Sequence, residues 1–330
     1  MTINVALLTN EALILGCDSV ASVSMHLLDP FNLKLEPVPD RPTVRRVEFG
    51  LEDLQQVVTE SWGGVTKMFP LCDSPPVAAV TAGLAKLNNR TMSDLAQEFL
   101  ERTSPERANV KAVAGDFLRY MRREFSRHHD KSKAPETIWE GPEFLVGGFG
   151  RDDRHPSLYR VLVKENELIE QFPPGESGAA WAGQSDAVER LLRGHDTMLK
   201  RRVERIVEAE MEKLHKRMTG AMADNLQRVL DKLGGTLPDD LELPLPKQQK
   251  VTLPWQSTTL SVDFSNLPLQ RAVDFTAYLV NLQSGKSKYA RGVPTVGGRT
   301  HVGILTKAGG FQMLNEPQLV HRSTGFIDDL

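Results

Sequence analysis

Thr2 is the residue whose position offers the most chemistry. A threonine that becomes the first residue of a chain can act as a nucleophile, because its own α-amine, with an unperturbed pKa near ~8, takes the hydroxyl proton at close range. This requires removal of Met1, which a small second residue permits. By itself a threonine at position 2 is common and says little. Other constellations say less. Gly147-Gly148-Phe149-Gly150 lacks the third glycine of a dinucleotide fingerprint. Gly175-Glu176-Ser177-Gly178 misses the nucleophile-elbow spacing by one residue. His128-His129 lies among charges, without carboxylates or cysteines at ligand spacing, so no metal is expected, and no motif calls for a cofactor.

A nucleophile at residue 2 needs a strand to hold it. Residues 3–8 and 12–18 read as two short apolar strands joined by the turn Thr9-Asn10-Glu11. Further strands are expected at 67–71, 77–82, 143–149, 157–163 and 301–306. Helices are expected at 92–102, 111–129 and 269–282, the second with Val113, Phe117, Leu118, Met121 and Phe125 on one face. The proline-bearing stretch 25–64 is a poor candidate for central strands and is read as an excursion. Residues 185–233 form a charged helical arm or a broken pair of helices, and 234–254 a proline-rich linker.

Hydrophobic residues make up 40% of the 330 residues and charged ones 25%, an ordinary balance for a globular enzyme. A net charge of −3 gives no general attraction to nucleic acid or acidic membranes. The basic residues from Lys200 to Arg217 are interspersed with Glu204, Glu208, Glu210 and Glu212, the mark of a solvated helix. Cys17 and Cys72 lie in apolar stretches and read as buried thiols. No leader and no apolar run near the ~20 residues of a membrane span is apparent, so a soluble cytoplasmic protein is expected.

Asp18-Ser19-Val20-Ala21-Ser22 begins sixteen residues after Thr2, and this resembles the proteasome β-subunit pattern of the N-terminal-nucleophile (Ntn) hydrolases, in a divergent bacterial-type form with insertions. Lys67-Met68-Phe69-Pro70-Leu71, Thr81-Ala82-Gly83, Leu145 to Phe149, Pro156 to Val161, Ala182-Gly183 and Pro294 to Gly298 are similar to further elements of that family, in the same order. The resemblance implies an α+β fold, a four-layer α-β-β-α sandwich of two antiparallel sheets, in a single domain of residues 1–330 with insertions at about 25–64 and about 190–265. It implies Thr2 as nucleophile, Asp18 paired with Lys67, and a Lys67 ammonium that eases ionisation of Thr2. Gly83 would offer its N–H to the oxyanion and Ser22 would align an extended substrate.

Two departures accompany it. Gln184 stands where the family carries a serine, with Ser185 one residue on, and Arg291-Gly292-Val293-Pro294 stands where an aspartate is usual. The outer support of the site is therefore expected to be thin. The implied function is a threonine-type peptidase acting on a peptide or protein, self-associated in a ring or stacked homo-oligomer, with any unfoldase partner unknown. The alternatives are an inactive proteasome-like scaffold in which Thr2 stays blocked, and an Ntn amidohydrolase acting on a small amide.

Overall fold

The computed structural model describes residues 2–28, 34–38, 41–48, 54–102, 109–132, 141–235 and 253–314. They fall into two units, Met1–Val188 with Val262–Leu330, and Glu189–Ser261.

The first unit opens with the expected hairpin, β1 (Ile3–Leu8) and β2 (Ala12–Cys17), whose turn closes through Thr9 N–H on the Ala12 carbonyl at 2.9 Å. The excursion holds β3 (Ala21–Leu28), β4 (Lys34–Val38), β5 (Arg41–Glu48) and β6 (Leu54–Trp62). They pair as β3 with β6 and β4 with β5, apart from the larger sheets. Pro37 sits beside a register shift in such a two-stranded pair, where a missing N–H is tolerated. Next come β7 (Met68–Cys72), β8 (Val77–Ala82), the short pair β9 (Lys86–Leu87) and β10 (Arg90–Thr91), α1 (Met92–Arg102) and α2 (Val110–Ser132). Four strands follow: β11 (Glu143–Gly148), β12 (Ser157–Leu162), β13 (Glu167–Glu170) and β14 (Gly178–Gly183). After α3 (Asp186–Arg193) and α4 (Thr197–Leu233), the chain closes with α5 (Leu269–Tyr289), β15 (His301–Thr306) and β16 (Gly310–Met313).

Two five-stranded antiparallel sheets result, ordered β14-β1-β2-β15-β16 and β13-β12-β11-β8-β7. β1 and β2 are buried at every position, so apart from Asn4 they read as continuous apolar runs instead of alternating ones. Alternation decides which neighbour each side chain meets. Ala6, Leu8, Leu13 and Leu15 meet Met68, Val80, Leu145 and Leu158 of the other sheet, whereas Leu7 and Ile14 join Ala272 of α5. α1 and α2 bury Phe99, Phe117, Met121 and Phe125 against Phe69, Phe144 and Val161 on the remaining face of the second sheet. Phe117 stands edge-on to both Phe99 and Phe144, at centroid distances of 5.1 and 4.9 Å. The chain is thus α+β with antiparallel sheets.

In the second unit the arm of the sequence breaks into two helices. Gly194 adopts a left-handed conformation, and Asp196 caps α4 by accepting from Leu199 N–H at 2.8 Å. Trp255, in a short 3-10 turn, donates its Nε1–H to Glu204 at 3.1 Å. Most of the expected linker, 236–252, lies outside the described residues. No helix among the described residues is long and apolar enough to cross a membrane.

Candidate active site

Strand ends are where a charged side chain can turn into the space between two sheets without breaking an apolar run. Thr2 precedes β1, Asp18 follows β2 and Lys67 precedes β7. All three are buried, 4%, 1% and 4% exposed, which is tolerable only if their polar atoms are partnered. They partner one another. Thr2 Oγ1 donates to Asp18 Oδ1 at 3.1 Å, and Lys67 Nζ donates to Thr2 Oγ1 and, at 2.6 Å, to Asp18 Oδ1. The third Nζ donor goes to the Val20 carbonyl, so the ammonium has no donor left over. Asp18 also accepts the backbone N–H groups of Ile3 at 3.1 Å, Val20 at 3.2 Å and Gly297 at 3.1 Å. The carboxylate is thereby fixed at both oxygens.

The backbone holds Thr2 as firmly. Its carbonyl accepts the Gln184 N–H at 2.6 Å, just after Gly183 turns the chain at φ +78°. Lys67 is held through its own carbonyl, which accepts Thr81 N–H at 2.9 Å.

Thr2 lines a small cleft together with Ser22, Lys67, Gly83, Leu84 and Met92. Gly83 has φ +84°, and a Cβ there would lie 2.5 Å from the Gly141 carbonyl oxygen, so no other residue fits without displacing the segment that leads into β11. Five of the six residues singled out in the sequence are therefore brought to one place: Asp18 supports the hydroxyl from behind and the other four line the cleft. Ser185, between β14 and α3, is not among the lining residues.

The outer support is not thin, contrary to the departures read at Gln184 and 291–294. Ser287 of α5 accepts the N–H groups of Thr295 and Val296 at 3.1 and 3.2 Å, which sets Gly297 to donate to Asp18. Gln184 joins in through its side-chain oxygen, which accepts from Thr295 Oγ1 at 2.7 Å. Backbone donors and a helix hydroxyl thus brace the loop that holds Asp18.

Two titratable groups behind the triad were not singled out for chemistry. Cys17, in register with His301, has its thiol pushed up to about 12 by burial, the nearby Lys67 opposing and Asp18 adding, so it is a neutral core thiol and no rival nucleophile. His301 is 2% exposed and its Nδ1 has no hydrogen-bond partner. Burial holds its pKa below the ordinary value, Asp18 opposing while Lys67 and Arg299 push the same way. The folded state therefore keeps His301 neutral where the unfolded chain, titrating near ~6.5, already takes a proton. Stability is expected to drop as pH falls below that value and on through the lower folded value. The urea midpoint of the parent should fall more between pH 7 and pH 5 than that of His301→Gln; equal slopes would remove His301 from this account.

Cys17 and Cys72 are both buried and neither is in a disulfide, and no cluster of His, Cys, Asp or Glu among the described residues could hold a metal ion.

No protein-family model and no curated protein matches the chain. Among solved structures it is similar to a Gly-1 mutant of Anbu from Hyphomicrobium sp. strain MC1, at 12% identity, covering 96% of this chain and 85% of that one, with a TM-score of 0.47. It is similar to Anbu, described as an ancestral beta-subunit, from Yersinia bercovieri, at 12% identity, 95% and 87% coverage and a TM-score of 0.46. It is also similar to Anbu from Pseudomonas aeruginosa, solved as a helical assembly, at 11% identity, 95% and 87% coverage and a TM-score of 0.47. Likeness at this depth bears on neither activity nor partners. These matches correct the resemblance to proteasome β-subunits read from the sequence, because Anbu is a distinct, though proteasome-like, family.

Proposed function

We propose that this chain is an amide-bond hydrolase of the threonine-peptidase type, with Thr2 as nucleophile once Met1 is removed. The observation that carries this reading is the Thr2 hydroxyl held between the Asp18 carboxylate and the Lys67 ammonium at the wall of the cleft. The hydroxyl oxygen attacks the substrate carbonyl and its proton passes to the freed α-amine. The carbonyl becomes an oxyanion beside Gly83, stabilised by a backbone N–H. Collapse breaks the C–N bond, the leaving amine takes the proton from the α-ammonium, and water hydrolyses the remaining Thr2 ester. Lys67 holds positive charge against the developing alkoxide, and Asp18 keeps Lys67 in place. Ser22, on the rim, would align an extended peptide.

A four-layer α-β-β-α arrangement is the reading that best fits α5 on one sheet and α1 with α2 on the other. We treat the chain as a single Ntn hydrolase-like domain with insertions at about 25–64 and about 190–265, working in the cytoplasm as a self-associated assembly.

Intact-mass spectrometry of protein made in a bacterial cytoplasm should show loss of Met1. A β-lactone or peptide-boronate trap should then add one adduct, mapping to the N-terminal peptide and absent from Thr2→Ala. Quantitative retention of Met1, or an adduct that persists in Thr2→Ala, would defeat the reading, and retention would favour a scaffold with a blocked Thr2.

A further inference from the structure

α4 is 37 residues long and buries none of them. Along it, Met211, Leu214, Met218 and Met222 are 36%, 49%, 57% and 45% exposed, an unusual display for a helix otherwise rich in charge. The display is ordered. Val203, Val207 and Met211, then Leu214, Met218 and Met222, follow steps of four, four and three. That 11-residue repeat averages about 3.67 residues per turn, close enough to the ~3.6 of an α-helix to keep the stripe on one face of a nearly straight rod.

The stripe is also its own mirror. Reversing α4 about the point between Glu212 and Lys213 lays Leu199 on Leu226, Val203 on Met222, Val207 on Met218 and Met211 on Leu214. The same reversal sets the acidic block Glu208, Glu210 and Glu212 beside the basic block Lys213, Lys216 and Arg217, and Arg201 and Arg202 beside Asp224. A parallel, in-register pairing would stack acid on acid and base on base. Sliding the partner by one 11-residue repeat towards the C-terminus opposes Glu212 with Asp224, and sliding it the other way leaves the helix uncovered beyond Arg217.

Lys213 and Lys216 already pair with Glu210 and Glu212 within the helix, at 2.7 Å each, but such exposed pairs contribute little. Apolar burial would supply the drive, and the charge blocks would choose direction and register.

We propose that α4 is a homotypic docking element, pairing antiparallel with α4 of a second copy of this chain about a two-fold axis between Glu212 and Lys213. This does not depend on whether Thr2 is catalytic.

The test uses the full chain carrying single cysteines, since native Cys17 and Cys72 are buried. In the proposed pair, position 203 lies opposite 222 of the other copy, while 203 lies about 28 Å along the axis from its own counterpart. A short bismaleimide should cross-link a mixture of Val203→Cys and Met222→Cys proteins but neither protein alone. Met218→Glu should lower the mass seen by light scattering without changing the circular dichroism. Cross-linking of Val203→Cys to itself would overturn the antiparallel seam. Failure of the mixture to cross-link would overturn the pairing and assign the face to another partner or to residues of its own chain.

Discussion

Replacing Lys67 by methionine should slow trapping at Thr2 by about 10²–10⁴-fold, the usual range for removal of a proton-handling or charge-stabilising group. Three donors leave with the ammonium: one on Thr2 Oγ1, one on Asp18 Oδ1 and one on the Val20 carbonyl. The Thr2 hydroxyl then faces Asp18 alone, and an alkoxide forming there would meet a carboxylate with no cation between them. Stability should fall too. Breaking one side of a buried ion pair costs about 3–5 kcal/mol because the other charge is stranded. Asp18 keeps the N–H groups of Ile3, Val20 and Gly297, which points to the lower end of that range. A domain with about 5–15 kcal/mol to lose remains mostly folded after such a change, so the trapping rate reports on the folded site and not on unfolding. Urea denaturation measures the second effect separately. An unchanged trapping rate alongside reduced stability would leave Lys67 a structural cation only.

What was readable in the sequence follows from how local each cause is. The β1–β2 hairpin and helices α1 and α2 were legible because apolar runs, a polar turn and a helical periodicity lie within a few residues of one another. β14 was not. Gly178-Ala179-Ala180-Trp181-Ala182-Gly183 has little intrinsic strand preference, and it becomes a strand because its backbone completes the free edge of β1, from Ile3 opposite Gly183 to Leu8 opposite Gly178. α5 was expected to stop at Leu282, yet it runs to Tyr289 through Ser284, Gly285 and Ser287, since Ser287 is buried and holds residues 295 and 296. The outer support was misjudged for a related reason. A comparison of side chains, position by position, registers Gln184 and Arg291 as losses, but Asp18 is braced by the Gly297 backbone, which no side-chain comparison reveals. His301 is a lone histidine in an apolar strand, and nothing in its neighbourhood of sequence places it behind Lys67.

The sharpest separation of site from scaffold should come from Gly183→Ala. Gly183 sits at φ +78°, and a Cβ there would fall 2.1 Å from the Thr2 carbonyl oxygen and 3.0 Å from its carbon. The left-handed conformation costs alanine about 1–2 kcal/mol, and forcing atoms into a filled space typically adds about 1–3 kcal/mol. Something must give, and the flanking strands are paired along their length, so the terminal residue is the part that can move. Displacing Thr2 outward loosens the Gln184 N–H bond to its carbonyl and draws Oγ1 away from Lys67 and Asp18. Trapping at Thr2 should therefore fall at least tenfold, which corresponds to about 1.4 kcal/mol in the barrier and a hydroxyl well out of line. Gly64→Ala is the matched control: its φ is +81°, and nothing lies within 4 Å of where its Cβ would be. It carries the same backbone penalty and leaves Thr2 untouched. If both variants lose stability but only Gly183→Ala loses trapping, the position of Thr2, and not the general integrity of the first sheet, sets reactivity. If the two trap at equal rates, the close approach of Gly183 is not what seats the nucleophile.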